Sequence, residues 1–499
     1  MLLKRLSRLC CKFRCVLLAA LVVTAHPAFA KEPQDLRILI DSSDSVSAAA
    51  TSLKLADSLE MLVQLLPEGS RAGVWVFGAE VHELVAPQEI GASWRKQAQL
   101  ALDSIVPTGD LSDINAAIDA ATDGVEADNG PGPVSVLLFS DGKLAVSSSP
   151  MTNANASRKL LTERTSSLAE MSVRVHTVAL SDDADRNFLH TLARTTDGLS
   201  LRARTDRELH ESLFQLLQTV VPGSRAPLVG GEFLIDAGVS AFTSVLYHRG
   251  KVGRIGLQAP GGDTLRPTGE TKGAVWFVND TVALATVKSP EPGRWSLRAP
   301  NLEDAQVRLD TRLGIDLLGP EREVGTGEPF AVHLVLKSPD GVALVGDAVS
   351  QLAVSVRVLT PAGEEQMIDV VSGDRDADGR YEVNIPALAM AGRYELTAIV
   401  GSPEPSYEFP IFIDVVATQS KETISTRVED ITPEGLEKPI ISLGVFVLVA
   451  LAILLAVLRR RRQRKLELWQ NRFDDPEGKG ASGLFPGIRT QTGEHPKVP

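Results

Sequence analysis

Within the first 222 residues, stretches with the apolar pattern of a strand alternate with stretches that have the apolar spacing of a helix. Residues 36–40 and 134–139 are short runs dominated by aliphatic and aromatic side chains, typical of strands buried on both faces of a parallel sheet. Residues 46–66 instead repeat leucine, alanine and valine at helical spacing. Further strands are predicted around 72–85 and 173–180, and further helices at 93–105, 114–121, 157–171, 186–194 and 207–221. Strands that alternate with helices over this length predict βαβ units and a doubly wound α/β domain with a mainly parallel sheet.

From residue 225 onward the apolar runs are short and are separated by turns that contain glycine and proline. Short strands between such turns indicate β-sandwich structure. We predict one β-sandwich domain over residues 225–312 and a second, immunoglobulin-like one over residues 314–417. Residues 418–438 are polar and are predicted to form a linker.

The N-terminal segment has the pattern of a secretory signal peptide. Residues 1–30 combine a basic start, a short apolar run and the small-residue sequence Ala28-Phe29-Ala30, which predicts cleavage after Ala30. All three cysteines of the chain lie in this segment, so the mature protein has none. Because large secreted eukaryotic domains usually carry disulfides, this composition favours a bacterial cell envelope.

A second apolar segment lies near the C-terminus. Residues 440–458 carry no charge and span about 28 Å at about 1.5 Å per residue, close to the hydrocarbon thickness of a bilayer. A cluster of arginines and lysine at 459–465 follows at once, and such clusters stay on the cytoplasmic side. We therefore predict a single membrane-spanning helix at 439–458, a disordered cytoplasmic tail at 459–499 and an extracytoplasmic, periplasmic ectodomain.

The charge of the chain restricts its partners. The net charge is −12, and because both end segments are basic, the ectodomain is more acidic than this value. An acidic ectodomain argues against nucleic acid as a partner and suits the binding of cations.

Oxygen-bearing side chains follow two of the buried strands. Asp41 ends the first strand and is followed by Ser43 and Ser45, and Asp141 follows the strand at 134–139. In open α/β sheets ligands bind at the carboxyl ends of strands, and hard cations such as Mg²⁺ prefer oxygen ligands. These residues therefore predict a metal site, although capping of the next helix would also explain aspartate and serine at 41–45.

Four stretches carry a resemblance to a known family. Residues 41–45 match the pattern D-x-S-x-S, and residues 140–142 resemble T-D-G. Residues 112–118 resemble T-x-I-x-x-A-L, and residues 192–198 resemble L-A-x-x-T-G-G. On these motifs the chain resembles the Rossmann-like von Willebrand factor type A domain with its metal-ion-dependent adhesion site, and we assign residues 31–222 to this domain.

The resemblance implies a ligand set. Ser43, Ser45 and Ser112 would bind Mg²⁺, or Mn²⁺ or Ca²⁺ in its place, through their hydroxyls, with Asp41 and Asp141 acting directly or through water. Ser112 stands where the family has threonine; it keeps the oxygen but lacks the methyl group that restricts the rotamer.

Thr108 is the rival for the loop ligand, and we favour Ser112 because residues 113–118 fit the family register better. The resemblance further implies that a protein partner supplies an Asp or Glu carboxylate to the open position of the metal.

Other chemistry is not supported by the sequence. No motif of a hydrolase, a phosphate-binding loop or a dinucleotide site occurs, so no enzyme is predicted. Residues 374–379 imitate the start of a calcium loop, but Ile385 occupies the twelfth position, where calcium needs a bidentate Glu. The prediction is a membrane-anchored adhesion or assembly protein. The alternative is a scaffolding protein with a degenerate metal site that binds through its β-sandwiches.

Overall fold

The structure, a computed structural model, covers most of the predicted ectodomain. The predicted signal peptide (1–30), membrane helix (439–458) and tail (459–499), and the linker from residue 418, lie outside the described residues. Within the described part, no helix is long and apolar enough to cross a membrane. The described residues are 34–125, 133–248, 255–267, 273–299, 302–320, 323–338, 342–344, 352–370, 376, 379–401 and 406–417.

Six strands form the sheet of the N-terminal α/β unit, which is called the head below and covers residues 34–222. The strands are β1 (Asp35–Asp41), β2 (Arg71–Phe77), β3 (Val81–Glu89), β4 (Val134–Ser140), β5 (Val173–Ala179) and β6 (Ser200–Arg202). Their order in the sheet is β3-β2-β1-β4-β5-β6, and all neighbours are parallel except β2 and β3. The prediction of a doubly wound, mainly parallel sheet is confirmed. Because the chain leaves β1 for β2 on one side and returns to β4 on the other, the switch point of the topology lies between β1 and β4.

Helices cover both faces of this sheet. They are α1 (Asp44–Ser52), α2 (Leu55–Leu65), α3 (Ala92–Asp103), α4 (Ile114–Ala121), α5 (Pro150–Lys159), α6 (Thr165–Glu170), α7 (Arg186–Thr195) and α8 (Asp206–Val220), with a π-helical turn (Leu160–Arg164) joining α5 to α6. Successive residues of β1 pack on opposite faces, because side chains alternate along a strand. Ile38 and Ile40 join a core with α1, α2, α3 and α8, whereas Leu39 joins a core with α4, α6 and α7.

Two helix predictions need correction. The single helix predicted at 46–66 is two helices, because Lys54 adopts a left-handed conformation with φ 49° and breaks the hydrogen-bond ladder between α1 and α2. The helix predicted at 157–171 begins earlier, at Pro150, where Ser149 caps it by accepting from the Thr152 N–H. The three-residue strand β6 was not predicted.

The rest of the described chain is β structure, as predicted. The strands are β7 (Ser224–Arg225), β8 (Glu232–Ile235), β9 (Val239–His248), β10 (Gly256–Gln258), β11 (Thr264–Leu265), β12 (Val275–Val278), β13 (Val282–Lys288), β14 (Gly293–Arg298), β15 (Leu302–Thr311), β16 (Gly314–Leu318), β17 (Glu323–Gly325), β18 (Phe330–Lys337), β19 (Ala353–Leu359), β20 (Glu365–Val370), β21 (Arg380–Ile385), β22 (Gly392–Gly401) and β23 (Ser406–Val416). One ten-stranded sheet runs through strands of both predicted sandwich domains in the order β12-β13-β9-β15-β7-β23-β22-β19-β20, with β17 beside β23. Smaller sheets, β11-β10-β14-β8 and β16-β18-β21, form the remaining layers.

The strand β7 joins the two halves of this long sheet, the first formed by β12, β13, β9 and β15 and the second by β23, β22, β19 and β20. It lies between β15 and β23, and the side chain of its Arg225, which is 20% exposed, contacts side chains of β22 and β23. The Nε of Arg225 donates to Glu408 at 2.8 Å, and its Nη2 donates to Glu395. Arg357 contacts the other oxygen of Glu408 at 3.1 Å. The halves are therefore connected by a charge network as well as by backbone pairing.

The head packs directly on the long sheet. Tyr247 and Val282, on β9 and β13, belong to the same apolar core as α2 and α8. The Tyr247 ring lies 4.5 Å from the His210 ring of α8. Arg393, on β22, pairs with Asp414 and donates to the Ser200 carbonyl of the head at 2.9 Å.

The buried imidazole of His210 makes this contact sensitive to acid. The pKa of His210 is lowered from 6.5 to about 4, mainly by burial; Asp206 opposes the shift and nearby Lys54 adds to it. The unfolded chain binds a proton near pH 6.5 and the folded one does not until about pH 4, so stability is lost as the pH falls through this window. The shift corresponds to about 3 kcal/mol at pH 4.

We expect His210→Phe to remove this part of the pH dependence. Urea unfolding at pH 7.5 and pH 4.5 measures it as the difference between the wild type and the variant, so that carboxylates titrating in both proteins cancel. Equal loss of stability in the two proteins would rule out His210 as the source.

Candidate metal centre

Asp41 is held at the carboxyl end of β1 by donors from three segments. It is 3% exposed, and its Oδ1 accepts a hydrogen bond from the Ser43 N–H at 2.9 Å. Its Oδ2 accepts from the Ser112 hydroxyl at 2.9 Å and from the Ser140 hydroxyl at 2.6 Å. Burial raises the pKa of Asp41, and the hydrogen bonds, led by the one from Ser140, oppose that rise. The carboxylate is fixed in place by neutral donors.

Asp141 lies at the end of the neighbouring strand, β4, and is fully buried. Its Oδ1 accepts from the Lys143 N–H at 3.1 Å. Its Oδ2 has no hydrogen-bond donor among the described residues; the contact that it makes is a charge contact, with the Lys143 Nζ at 3.3 Å. A buried carboxylate oxygen without a hydrogen bond is costly, and a cation would satisfy it.

The two serines after Asp41 turn their hydroxyls toward each other. Ser43 Oγ and Ser45 Oγ are 3.2 Å apart, with Ser43 buried and Ser45 exposed. Ser43 occupies the N-cap position of α1, but its side chain makes no capping hydrogen bond. Helix capping, the other explanation for this sequence, therefore does not account for the Ser43 hydroxyl.

The loop between α3 and α4 brings Ser112 to the site. Its backbone N–H and C=O pair with Ala145 at 2.9 and 2.8 Å, which ties this loop to the one after β4. Ser112 is 2% exposed and its hydroxyl reaches Asp41.

Thr108, the alternative to Ser112 as the loop ligand, has a different role. Its Oγ1 lies 2.8 Å from the Ser42 hydroxyl and 3.3 Å from the Ser42 carbonyl oxygen. Gly78 makes room for it, since a Cβ at that position would lie 2.0 Å from Thr108 Oγ1. Thr108 anchors the loop, and Ser112 is the hydroxyl that meets Asp41.

Two contributors were not among the residues predicted for the site. Ser140 belongs to the stretch 140–142 that resembles T-D-G; its hydroxyl accepts from the Gly142 N–H at 2.9 Å while it donates to Asp41. Lys143 follows Gly142, whose positive φ of 72° turns the chain back over the strand end. A hydroxyl at the end of a buried strand was the available signal for Ser140, whereas no sequence pattern pointed to Lys143.

The residues fit a hard divalent cation. The five predicted ligands provide two carboxylates and three hydroxyls from three segments at the switch point, and one buried oxygen, Asp141 Oδ2, lacks a hydrogen bond. Mg²⁺, Mn²⁺ and Ca²⁺ are bound through such oxygens. In the described part of the chain no three His, Cys, Asp or Glu side chains group as a metal site, so any cation here would depend on hydroxyl ligands.

Comparisons with known proteins agree with the motifs. Residues 35–215 match the family model described as the von Willebrand factor type A domain. No curated protein was found to match the chain.

Solved structures also match. One is described as von Willebrand factor type A from Catenulispora acidiphila (13% identity, 68% of this chain and 66% of that one, TM-score 0.31). Another is proximal thread matrix protein 1 from the mussel byssus with a zinc-occupied MIDAS motif (16%, 38% and 49%, 0.31). A third is the manganese-loaded Plasmodium vivax TRAP protein (14%, 52% and 95%, 0.28).

Proposed function

We propose that the head binds a protein partner through a divalent cation, Mg²⁺ in the first instance; the match of residues 35–215 to the family model of the von Willebrand factor type A domain supports this. The ligands are those predicted from the sequence, at 41, 43, 45, 112 and 141. The observation that carries the proposal is the pairing of a hydroxyl-bound carboxylate, Asp41, with a fully buried one, Asp141, whose Oδ2 lacks a hydrogen bond.

Each residue of the site has a separate task in this proposal. The bound cation supplies positive charge and an open coordination position for an Asp or Glu of the partner. Ser140 and Ser112 fix the Asp41 carboxylate, so that it does not rotate when the cation arrives. The fully buried Asp141 supplies the second negative charge, through an Oδ2 that accepts no hydrogen bond from the described residues.

The surroundings of the site favour cations. Exposed acidic side chains lie in the loops at the same edge of the sheet: Glu80, Asp110 and Asp183. A face of one charge sign raises the local concentration of counter-ions. The function is one of binding, for adhesion or for assembly of a complex, and no catalytic step is proposed.

The placement of the protein in the cell is part of the proposal. A signal peptide at 1–30, a single span at 439–458 and the basic cluster after it support a bacterial cell-membrane protein with an extracytoplasmic, periplasmic head. In the sequence, the strands of residues 224–416, called the β region below, lie between the head and the predicted span.

Isothermal titration of Mg²⁺ into the full-length chain tests the proposal. We expect saturable binding in the wild type and none in Asp41→Ala, because the variant loses the carboxylate that organises the hydroxyls. Asp44→Ala is the matched control, since Asp44 is exposed and, within the described part of the chain, its carboxylate accepts from the Gly109 N–H and does not contact Asp41 or Asp141 through a hydrogen bond. Mg²⁺ should also be required for capture of a partner from an envelope extract.

Two outcomes would contradict the proposal. Equal Mg²⁺ binding in the wild type and Asp41→Ala would place the cation elsewhere. Partner capture that persists in chelator would favour the scaffolding alternative, in which the β region makes the contacts.

A further inference from the structure

Lys143 contacts both oxygens of one buried carboxylate. Its backbone N–H donates to Asp141 Oδ1 at 3.1 Å, and its Nζ lies 3.3 Å from Asp141 Oδ2. The turn at Gly142, with φ 72°, allows this return of the chain. A Cβ on Gly142 would lie 2.7 Å from the Leu189 side chain, so the turn is also fixed by packing.

The Lys143 ammonium supplies positive charge to Asp141, whereas the hydroxyls of the site donate to the other carboxylate, Asp41. The hydroxyls of Ser112 and Ser140 both donate to Asp41. Asp141 is completely buried, and a buried carboxylate needs a counter-charge. Lys143 is also the only lysine or arginine in the three stretches that supply the site: 41–45, 107–113 and 140–149.

The Lys143 side chain can move away from Asp141 into solvent. Its side chain is 48% exposed, whereas the carboxylate that it contacts has no exposure. Lysine is a flexible point charge that is readily hydrated, so it reaches solvent by rotation of its own side chain. A divalent cation bound to Asp141 Oδ2 would lie next to the present position of the ammonium, and the two positive charges would repel each other.

We propose that Lys143 is a resident counter-ion of Asp141 that competes with the divalent cation and so sets the metal concentration at which the head becomes able to bind. The inference rests on the proposed function and adds a control on loading. At low divalent concentration the ammonium holds the carboxylate, and at high concentration the metal displaces the ammonium to the rim of the site.

Titration of Mg²⁺ into full-length variants tests the competition. Lys143→Met keeps the aliphatic stem and removes the charge, and we expect it to bind Mg²⁺ about tenfold more tightly, since one neighbouring charge changes the affinity of a carboxylate for a proton by about tenfold or more. Lys143→Arg keeps the charge and should bind as the wild type does. Lys96→Met, on an exposed position of α3, removes the same charge elsewhere and should have no effect.

A second readout needs no metal. In chelator, Lys143→Met should melt at a lower temperature than the wild type and Lys96→Met, because Asp141 loses its counter-charge. Added Mg²⁺ should then raise the melting temperature of Lys143→Met more than that of the wild type.

The outcomes separate the two proposals. Equal Mg²⁺ affinity in the wild type and Lys143→Met overturns the competition and leaves the proposed function standing. No binding in any of these proteins overturns the proposed function; an unchanged melting temperature of Lys143→Met in chelator then overturns the counter-ion role as well, and a lowered one supports that role. Binding in Lys143→Met alone supports the inference in its strongest form.

Discussion

Asp141→Asn is expected to abolish divalent binding and to leave the fold as stable as before. Mutation of a residue that only hydrogen-bonds to a metal ligand already lowers metal affinity by about ten- to a hundredfold. Loss of a ligand itself should therefore weaken Mg²⁺ binding by at least about a hundredfold. The folded state loses little, because asparagine has the same shape and removes a buried charge whose Oδ2 accepts no hydrogen bond. The Lys143 ammonium left behind is half exposed and becomes hydrated.

Calorimetric titration and urea unfolding in chelator measure the two effects on the same protein. Asp182→Asn, an exposed acidic position in the loop after β5, is the charge-matched control. The assignment fails if Asp141→Asn keeps the Mg²⁺ affinity of the wild type. A large loss of stability in chelator would show instead that Asp141 has a structural role.

Arg225→Met is expected to destabilise the β region by about 3 kcal/mol. Breaking a buried ion pair by removing one partner costs about 3–5 kcal/mol, because the other charge is left buried and unpaired. Glu395 would lose the guanidinium, while Glu408 would keep Arg357 at 3.1 Å. The loss should therefore lie at the lower end of that range.

Chemical unfolding of Arg225→Met beside Arg294→Met measures this cost. Arg294 pairs with Glu232 at 3.0 Å, but both side chains are exposed, and such pairs contribute less than about 1 kcal/mol. A further Glu395→Gln change should restore part of the stability of Arg225→Met. If the two arginine variants lose the same small amount, Arg225 does not hold the halves together.

The sheet of the head and the strand ends at Asp41 and Asp141 could be predicted because the short apolar runs 36–40 and 134–139 are each followed within two residues by a carboxylate. The break between α1 and α2 could not, since the apolar spacing of 46–66 continues through Lys54 without glycine or proline. The two-residue strand β7 is too short to show any period, although it lies at the centre of the longest sheet.

The different contacts of Ser112 and Thr108 could not be predicted from the sequence alone. Both are hydroxyls of one loop, and the register of the motif favoured Ser112. The structure places Ser112 against Asp41 and Thr108 against Ser42, a division that depends on the space left by Gly78 two strands away from Asp141. The contact of Lys143 depends in the same way on a turn angle, which a list of residue types does not contain.

The place of β7 beside β23 has a mechanical consequence. The chain passes from the head into β7, and its last described strand is β23, so the covalent path from Arg225 to Glu408 runs through nearly all of the β region. In space the same two residues are paired across the sheet. Tension between a partner held by the head and the C-terminal end of β23 would therefore be carried by this contact together with the pairing of β23 with β22 and β17 and the Arg393–Asp414 pair. The chain between Arg225 and Glu408 would be stretched only after these contacts had ruptured.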